Sequence, residues 1–155
     1  MPREHLFETS LDLPYSPEEI FPFFADAANL DAITPPSLRF RILTPLPIVM
    51  REGTLIDYTI RLRGVPVRWR TRISAWEPPC RFVDEQLKGP YTLWVHEHTF
   101  ERTPSGTRCI DRVRYAHRGG PLVERFFVRP EVEWIFAYRK RVLSRRFGGL
   151  ALVPA

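Results

Sequence analysis

Two histidines, His96 and His98, sit in a stretch that reads Trp94-x-His96-x-His98-x-Phe100. Alternation at period two places all four side chains on one face of a β-strand, so two imidazoles share a face with two large aromatics. Burying an imidazole is costly unless it is hydrogen-bonded. Asp84 and Asp111 are the carboxylates that could meet them, and Gln86 shares the parity of Asp84. These residue types support three kinds of chemistry. The imidazoles can brace neighbouring strands through buried carboxylates or amides. They can form the polar end of a mostly apolar ligand pocket. Alternatively, a histidine held by Asp84 or Asp111 can abstract a proton beside a carbonyl while Tyr58 or Tyr115 stabilises the oxyanion, as a cyclase or dehydratase requires. The catalytic candidates are therefore His96, His98 and Asp111. A metal would need a third ligand such as Asp84 or Asp111; the sequence dedicates none to it, and neither metal nor cofactor is expected.

Arg139 lies on a C-terminal helical pattern between Phe136 and Leu143, at or beside an apolar stripe. Its guanidinium can bind a ligand carboxylate or phenolate. It can equally lay its stem on the stripe and lift its head to water, or pair with a sheet carboxylate. The expected ligand-binding set is Tyr58, Trp69, Asp84, Gln86, Trp94, His96, His98, Tyr115, Phe136 and Arg139.

These residues need a scaffold, and the chain supplies one. Residues 3–13 alternate as a first strand. Ser16, Pro17 and Glu19 then make a helix start with a capping box, carrying Ile20, Phe21, Phe23 and Phe24 to about Ala25. A second short helix covers Ala27 to Ile33 and must end near Pro35-Pro36. Six strands follow: Leu38–Leu43, Gly53–Arg63, Val65–Trp76, Arg81–Leu87, Tyr91–Arg102 and Thr107–His117, separated by Gly and Pro turns. Within Val65–Trp76, the residues Val67, Trp69, Thr71, Ile73 and Ala75 form a dry face, and Arg68, Arg70 and Arg72 a wet one. Pro121 opens one helical segment and Pro130 a second, which runs to Phe147 over about 27 Å. Only that last helix can cover the apolar face of the sheet, and a curved sheet around one helix leaves space between them.

Composition sets the outer limits. With 155 residues, 44% hydrophobic and 26% charged, the chain fits one globular domain spanning 1–155. No run reaches the roughly 18 apolar residues a membrane span needs, so no integral membrane association is expected. The N-terminus lacks a secretory pattern, and a cytoplasmic protein is expected. Cys80 and Cys109 have neither disulfide-framework nor zinc spacing. The net charge of +5 rests almost wholly on arginine. Arg61, Arg63, Arg68, Arg70 and Arg72 could make a basic patch, but exposed aromatics do not interleave with it and Asp57 dilutes it, so no nucleic-acid partner is expected. A homodimer through this sheet face or the terminal helix stays open. GxSxG, HExxH, P-loop and dinucleotide fingerprints are absent from the sequence.

Several strings, spread over almost the entire chain, resemble one family. They are Asn29-Leu30 with Thr34-Pro35-Pro36, Gly64-x-Pro66-x-x-Trp69, and Pro78-Pro79-x-x-Phe82-x-Asp84-x-Gln86-x-x-Gly89-Pro90-Tyr91. Trp94-x-His96-x-His98-x-Phe100 and Gly106-Thr107 complete the set. In these strings and in the order of its elements the chain resembles the SRPBCC superfamily (START-like, or birch-pollen-allergen-like), in its polyketide cyclase/dehydrase and lipid-transport branch. The resemblance implies an α+β helix-grip fold: a curved antiparallel sheet of about seven strands, two short helices after the first, wrapped on a long C-terminal helix. It also implies that a hydrophobic or amphipathic small molecule (lipid-, polyketide- or isoprenoid-like) binds between sheet and helix. A cyclase or dehydratase sharing that pocket, and an interaction module with a filled core, are the competing readings. The superfamily supplies no common set of catalytic residues.

Overall fold

The structure is a computed structural model that describes residues 1–148; residues 149–155, included in the single domain expected from the sequence, lie outside them. Strand β1 (Glu4–Leu13) is followed by helix α1 (Pro17–Phe24) and two 3-10 turns, Ala27–Ile33 and Pro36–Leu38. Strands β2 (Arg41–Ile42), β3 (Leu55–Leu62), β4 (Val65–Glu77), β5 (Arg81–Lys88), β6 (Leu93–Thr103) and β7 (Gly106–Ala116) come next. They form one antiparallel sheet in the order β1-β7-β6-β5-β4-β3-β2. The described residues end in a long helix built from α2 (Gly120–Val123), a wide π turn (Glu124–Val128), α3 (Arg129–Leu143) and a second π turn (Ser144–Gly148). This is a helix-grip arrangement.

Local chemistry explains the element starts. Ser16 caps α1: the Glu19 amide donates to Ser16 Oγ at 3.3 Å, and the Ser16 amide donates to Glu19 Oε2 at 2.8 Å. The cap aims Ile20, Phe21, Phe23 and Phe24 into the core, where Phe21 and Phe24 meet Phe100, and Phe21 also meets Phe82.

Three elements differ from the sequence expectation. The strand expected over Leu38–Leu43 shrinks to Arg41–Ile42, because Pro36 launches a 3-10 turn that takes Leu38, and Arg39 leaves it with a left-handed φ of 47°. The dry face of β4 does not run through to Ala75. The register shifts between Ile73 and Ala75, so Trp76 pairs with Phe82 and packs in the core in place of Ala75. The two expected C-terminal segments form one continuous rod. The Arg129 amide bonds to the Glu124 carbonyl five residues back, and this wide turn carries the helix past Pro130 without a break.

The inner face of α3 carries Val132, Phe136, Arg139 and Leu143, each about one turn from the next. Phe136 meets Phe7 of β1 at 5.1 Å between ring centroids, which fixes the helix over that edge of the sheet. On the outer face arginines alternate with acids across strands. Arg70 forks onto Asp57 at 2.8 and 3.0 Å, Arg81 meets Glu97 at 2.7 Å, and Arg112 meets Glu8 at 2.7 Å. Arg72 pairs with Glu85 in the same way.

Candidate functional site

The register of the three central strands builds a polar cluster on the concave face. Asp84 of β5 stands opposite His96 of β6, and His98 stands opposite Asp111 of β7. The short hydrogen bonds run along the diagonals, with His98 Nε2 to Asp84 Oδ2 at 2.6 Å and His96 Nε2 to Asp111 Oδ1 at 2.7 Å. Sheet twist brings such same-face diagonal neighbours within reach. The two imidazoles stack at 3.6 Å between centroids, and Phe82 stacks on the far side of His98 at 3.9 Å. Arg139 descends from α3 to close the cluster. Its Nη2 donates to His98 Nδ1 at 3.2 Å and stands 3.6 Å from Asp111 Oδ1.

That contact fixes a proton. A guanidinium only donates, so His98 Nδ1 must be the acceptor and His98 Nε2 must carry the hydrogen that it gives to Asp84. Burial, then the neighbouring His96 and the Arg139 charge, push His98 well below its ordinary value, against a smaller upward pull from Asp111. His98 is therefore a neutral imidazole. The two carboxyls are driven apart. Burial raises Asp84, and His96 and Arg139 only partly offset it. Burial also pushes Asp111 up, but Arg139 and the His96 hydrogen bond outweigh it and hold Asp111 far below the usual carboxylate range. Asp111 is thus a fixed anion, while Asp84 is the carboxyl most ready to take a proton.

Asp84, His96 and His98 each bring one donor atom within 4.8 Å of the others, a grouping that could hold a divalent metal. The chemistry of the set is less suited to one. Arg139 already supplies a positive charge there, and the His98 nitrogen facing Asp84 carries a hydrogen.

Beside the cluster lies a cavity of ≈ 160 Å³. Asp84, His96, His98 and Arg139 form its polar end, and Tyr58, Trp69, Trp94 and Phe136 form apolar wall. The half-buried Phe40, Met50 and Leu62 also line it. Two buried donors in this wall, Trp69 Nε1 and Arg139 Nε, have no hydrogen-bond partner among the described residues. Burial also raises the Tyr58 hydroxyl, so it is a neutral phenol.

Gln86 and Tyr115 lie elsewhere. Gln86 ties the β5–β6 turn, donating to the Tyr91 carbonyl at 2.7 Å and accepting from the Tyr91 amide at 3.1 Å. Tyr115 is fully buried beneath the terminal helix, and its hydroxyl donates to Glu124 Oε1 at 2.6 Å. Asp111 backs the cluster without lining the cavity. Thr71, Tyr91 and Ile135 line the cavity but were not singled out from the sequence. Thr71 left a signal, a polar residue on the dry face of β4, whereas Tyr91 precedes its strand and left none.

Comparison with known proteins supports the fold. A family model described as polyketide cyclase / dehydrase and lipid transport matches residues 13–137. Among solved structures, Mll3558 from Rhizobium loti is 16% identical, with a TM-score of 0.68 over 92% of this chain and 99% of that one. CV1439 from Chromobacterium violaceum is 15% identical, with a TM-score of 0.68 over 92% and 97%. The major latex-like protein 151 of Panax ginseng is 9% identical, with a TM-score of 0.68 over 93% and 97%. Likeness at these identities speaks for the fold alone. The search of curated proteins found no match. With its residues 13–137 matched and its seven-stranded sheet closed on one terminal helix, the chain belongs to the polyketide cyclase / dehydrase and lipid transport family, within the SRPBCC superfamily.

Proposed function

We propose that the protein binds a small amphipathic molecule, with an apolar portion in the cavity and an acceptor group turned to Arg139 and Trp69. The observation that carries this reading is an apolar void walled by two buried donors that lack partners. Buried donors are normally satisfied, and leaving one bare is costly, so a carboxylate, carbonyl or phenolate oxygen is a fitting guest. Size narrows the class. A dry cavity of about 150 Å³ takes a benzene ring. The ≈ 160 Å³ here suits one ring or a short chain segment.

Native mass spectrometry of the purified protein should find a retained small molecule that denaturation releases. Benzoate, an anion with a single ring, should bind the emptied protein with a heat that calorimetry reads. Ile60→Trp adds bulk inside the cavity and should abolish that signal, while a thermal melt reports whether the variant is folded. Equal probe binding by the parent and a folded Ile60→Trp protein would defeat the proposal.

A catalytic reading has its own observation, the raised Asp84 carboxyl on the cavity wall. Both nitrogens of His98 are engaged, so in this reading Asp84 is the base in place of His98, which stays its hydrogen-bonded partner. A proton next to a ligand carbonyl would move to Asp84, as cyclisation or dehydration needs. Asp84→Asn should then stop turnover of the retained compound while keeping its affinity within about threefold, which is about 0.65 kcal/mol. A parent protein that leaves that compound unchanged rules the reaction out.

A further inference from the structure

The start of the terminal helix presents apolar side chains to water. Leu122 is 72% exposed, Phe126 59% and Phe127 50%, and Val123 stands beside them. Within Pro121–Phe127 only Glu124 is partly buried. Its carboxylate turns inward, accepting from the Tyr115 hydroxyl at 2.6 Å and lying 2.9 Å from His117 Nε2. The single acid of the segment is thereby withdrawn from the surface, and what remains outside is apolar and cationic. Arg125 lies over the Phe126 ring at 5.4 Å, and Arg63 of the β3–β4 turn lies over Phe127 at 4.8 Å while donating to the Phe127 carbonyl at 2.7 Å. Arg118 is exposed next to the helix start. Arg63 also lies 3.9 Å from the carboxylate of Glu131, whereas among the described residues neither Arg118 nor Arg125 takes part in an ion pair.

Contiguous exposed aromatics on a folded domain mark a contact surface. Charge selects the occupant. On a twofold axis the patch would meet itself, setting Arg118 and Arg125 against their own copies with the only nearby acid of the segment turned away. A bilayer with anionic headgroups reverses that sign: side-chain tips enter the acyl boundary while guanidiniums meet phosphates and carboxylates just outside it. Position agrees, because Leu62, which lines the cavity, directly precedes Arg63.

We propose that Leu122, Val123, Phe126 and Phe127, ringed by Arg63, Arg118 and Arg125, dock the protein on an anionic phospholipid bilayer. The docking surface lies outside the cavity and does not depend on a ligand being held there. Flotation with vesicles tests it. The protein should float with phosphatidylcholine–phosphatidylserine vesicles, far less with phosphatidylcholine alone, and less as salt rises. The Phe126→Ser/Phe127→Ser double variant and the single variant Arg125→Glu should each weaken flotation by about tenfold or more. These side chains are exposed, so circular dichroism should stay unchanged; should the double variant fail to fold, Arg125→Glu carries the test alone. No flotation with anionic vesicles would overturn the proposal, as would flotation that a folded variant leaves intact. A dimer in light scattering that the double variant dissolves, without vesicle binding, would assign the patch to a second copy instead.

Discussion

Arg139→Leu is expected to destabilise the fold by about 3–5 kcal/mol, read as a fall in the urea midpoint at neutral pH. Arg139 is only 8% exposed and supplies the positive charge that faces the Asp111 anion from the helix side. Removing it leaves Asp111 buried against His96, with burial acting on the carboxyl and its main counterweight gone. A loss of that size is a large share of the stability of a small domain. The mechanism can be separated from lost packing. Asp111→Asn removes the stranded charge, so in the Arg139→Leu background it should recover part of the loss, giving a favourable coupling in the double-mutant cycle. Arg139→Lys keeps the charge but loses the guanidinium Nη2 that lies near both His98 and Asp111, and should fall between parent and Leu. A cost under about 1 kcal/mol for Arg139→Leu, the range of ordinary surface positions, would show that the cluster does not depend on the guanidinium.

The sequence exposes the elements of this cluster but not its wiring, and the reason is geometric. Period two placed His96, His98 and Phe100 on one face of β6 because no register shift interrupts β6 against β7. The same rule failed in β4, where the shift after Ile73 swaps Trp76 for Ala75, since nothing in Ile73-Ser74-Ala75-Trp76 announces a bulge. The diagonal pairing of His98 with Asp84 and His96 with Asp111 depends on two registers set by distant turns, which parity within one strand does not encode. Gln86 has the parity of Asp84, yet it lies two residues before β5 ends, and its amide is captured by the Tyr91 backbone before it can reach the cavity. Tyr115 does face inward, but Glu124 of the terminal helix takes its hydroxyl. Helical spacing put Arg139 on the Val132–Phe136–Leu143 stripe; whether its head would rise to water or dip to the sheet depended on a carboxylate on β7, a strand remote in sequence. Turn chemistry likewise overrode strand propensity at Leu38–Leu43, where the prolines left only Arg41–Ile42 to pair.

The neutral state of His98 should make stability fall on acidification well before ordinary carboxylates titrate. Burial first, then His96 and Arg139, hold the folded imidazole far below its ordinary 6.5. In the unfolded chain it titrates near that ordinary value, so below it the unfolded state binds a proton that the folded state refuses. The contribution is therefore present above about pH 6.5 and lost as pH drops toward the folded value, at up to about 1.4 kcal/mol per pH unit. Asp84 acts with the opposite sign. Its raised folded value means the native state takes up a proton before the unfolded chain does, which returns stability as pH descends through that value toward 3.8. Asp111, depressed when folded, resumes the loss below 3.8. Urea midpoints measured from neutral pH downward should thus show an early decline, a shallower stretch, and a second decline. His98→Gln keeps hydrogen-bonding groups at the position but cannot titrate, so it should flatten the first decline and leave the second in place. An unchanged first decline in a folded His98→Gln protein would mean that folding does not depress this imidazole and that another group carries the decline.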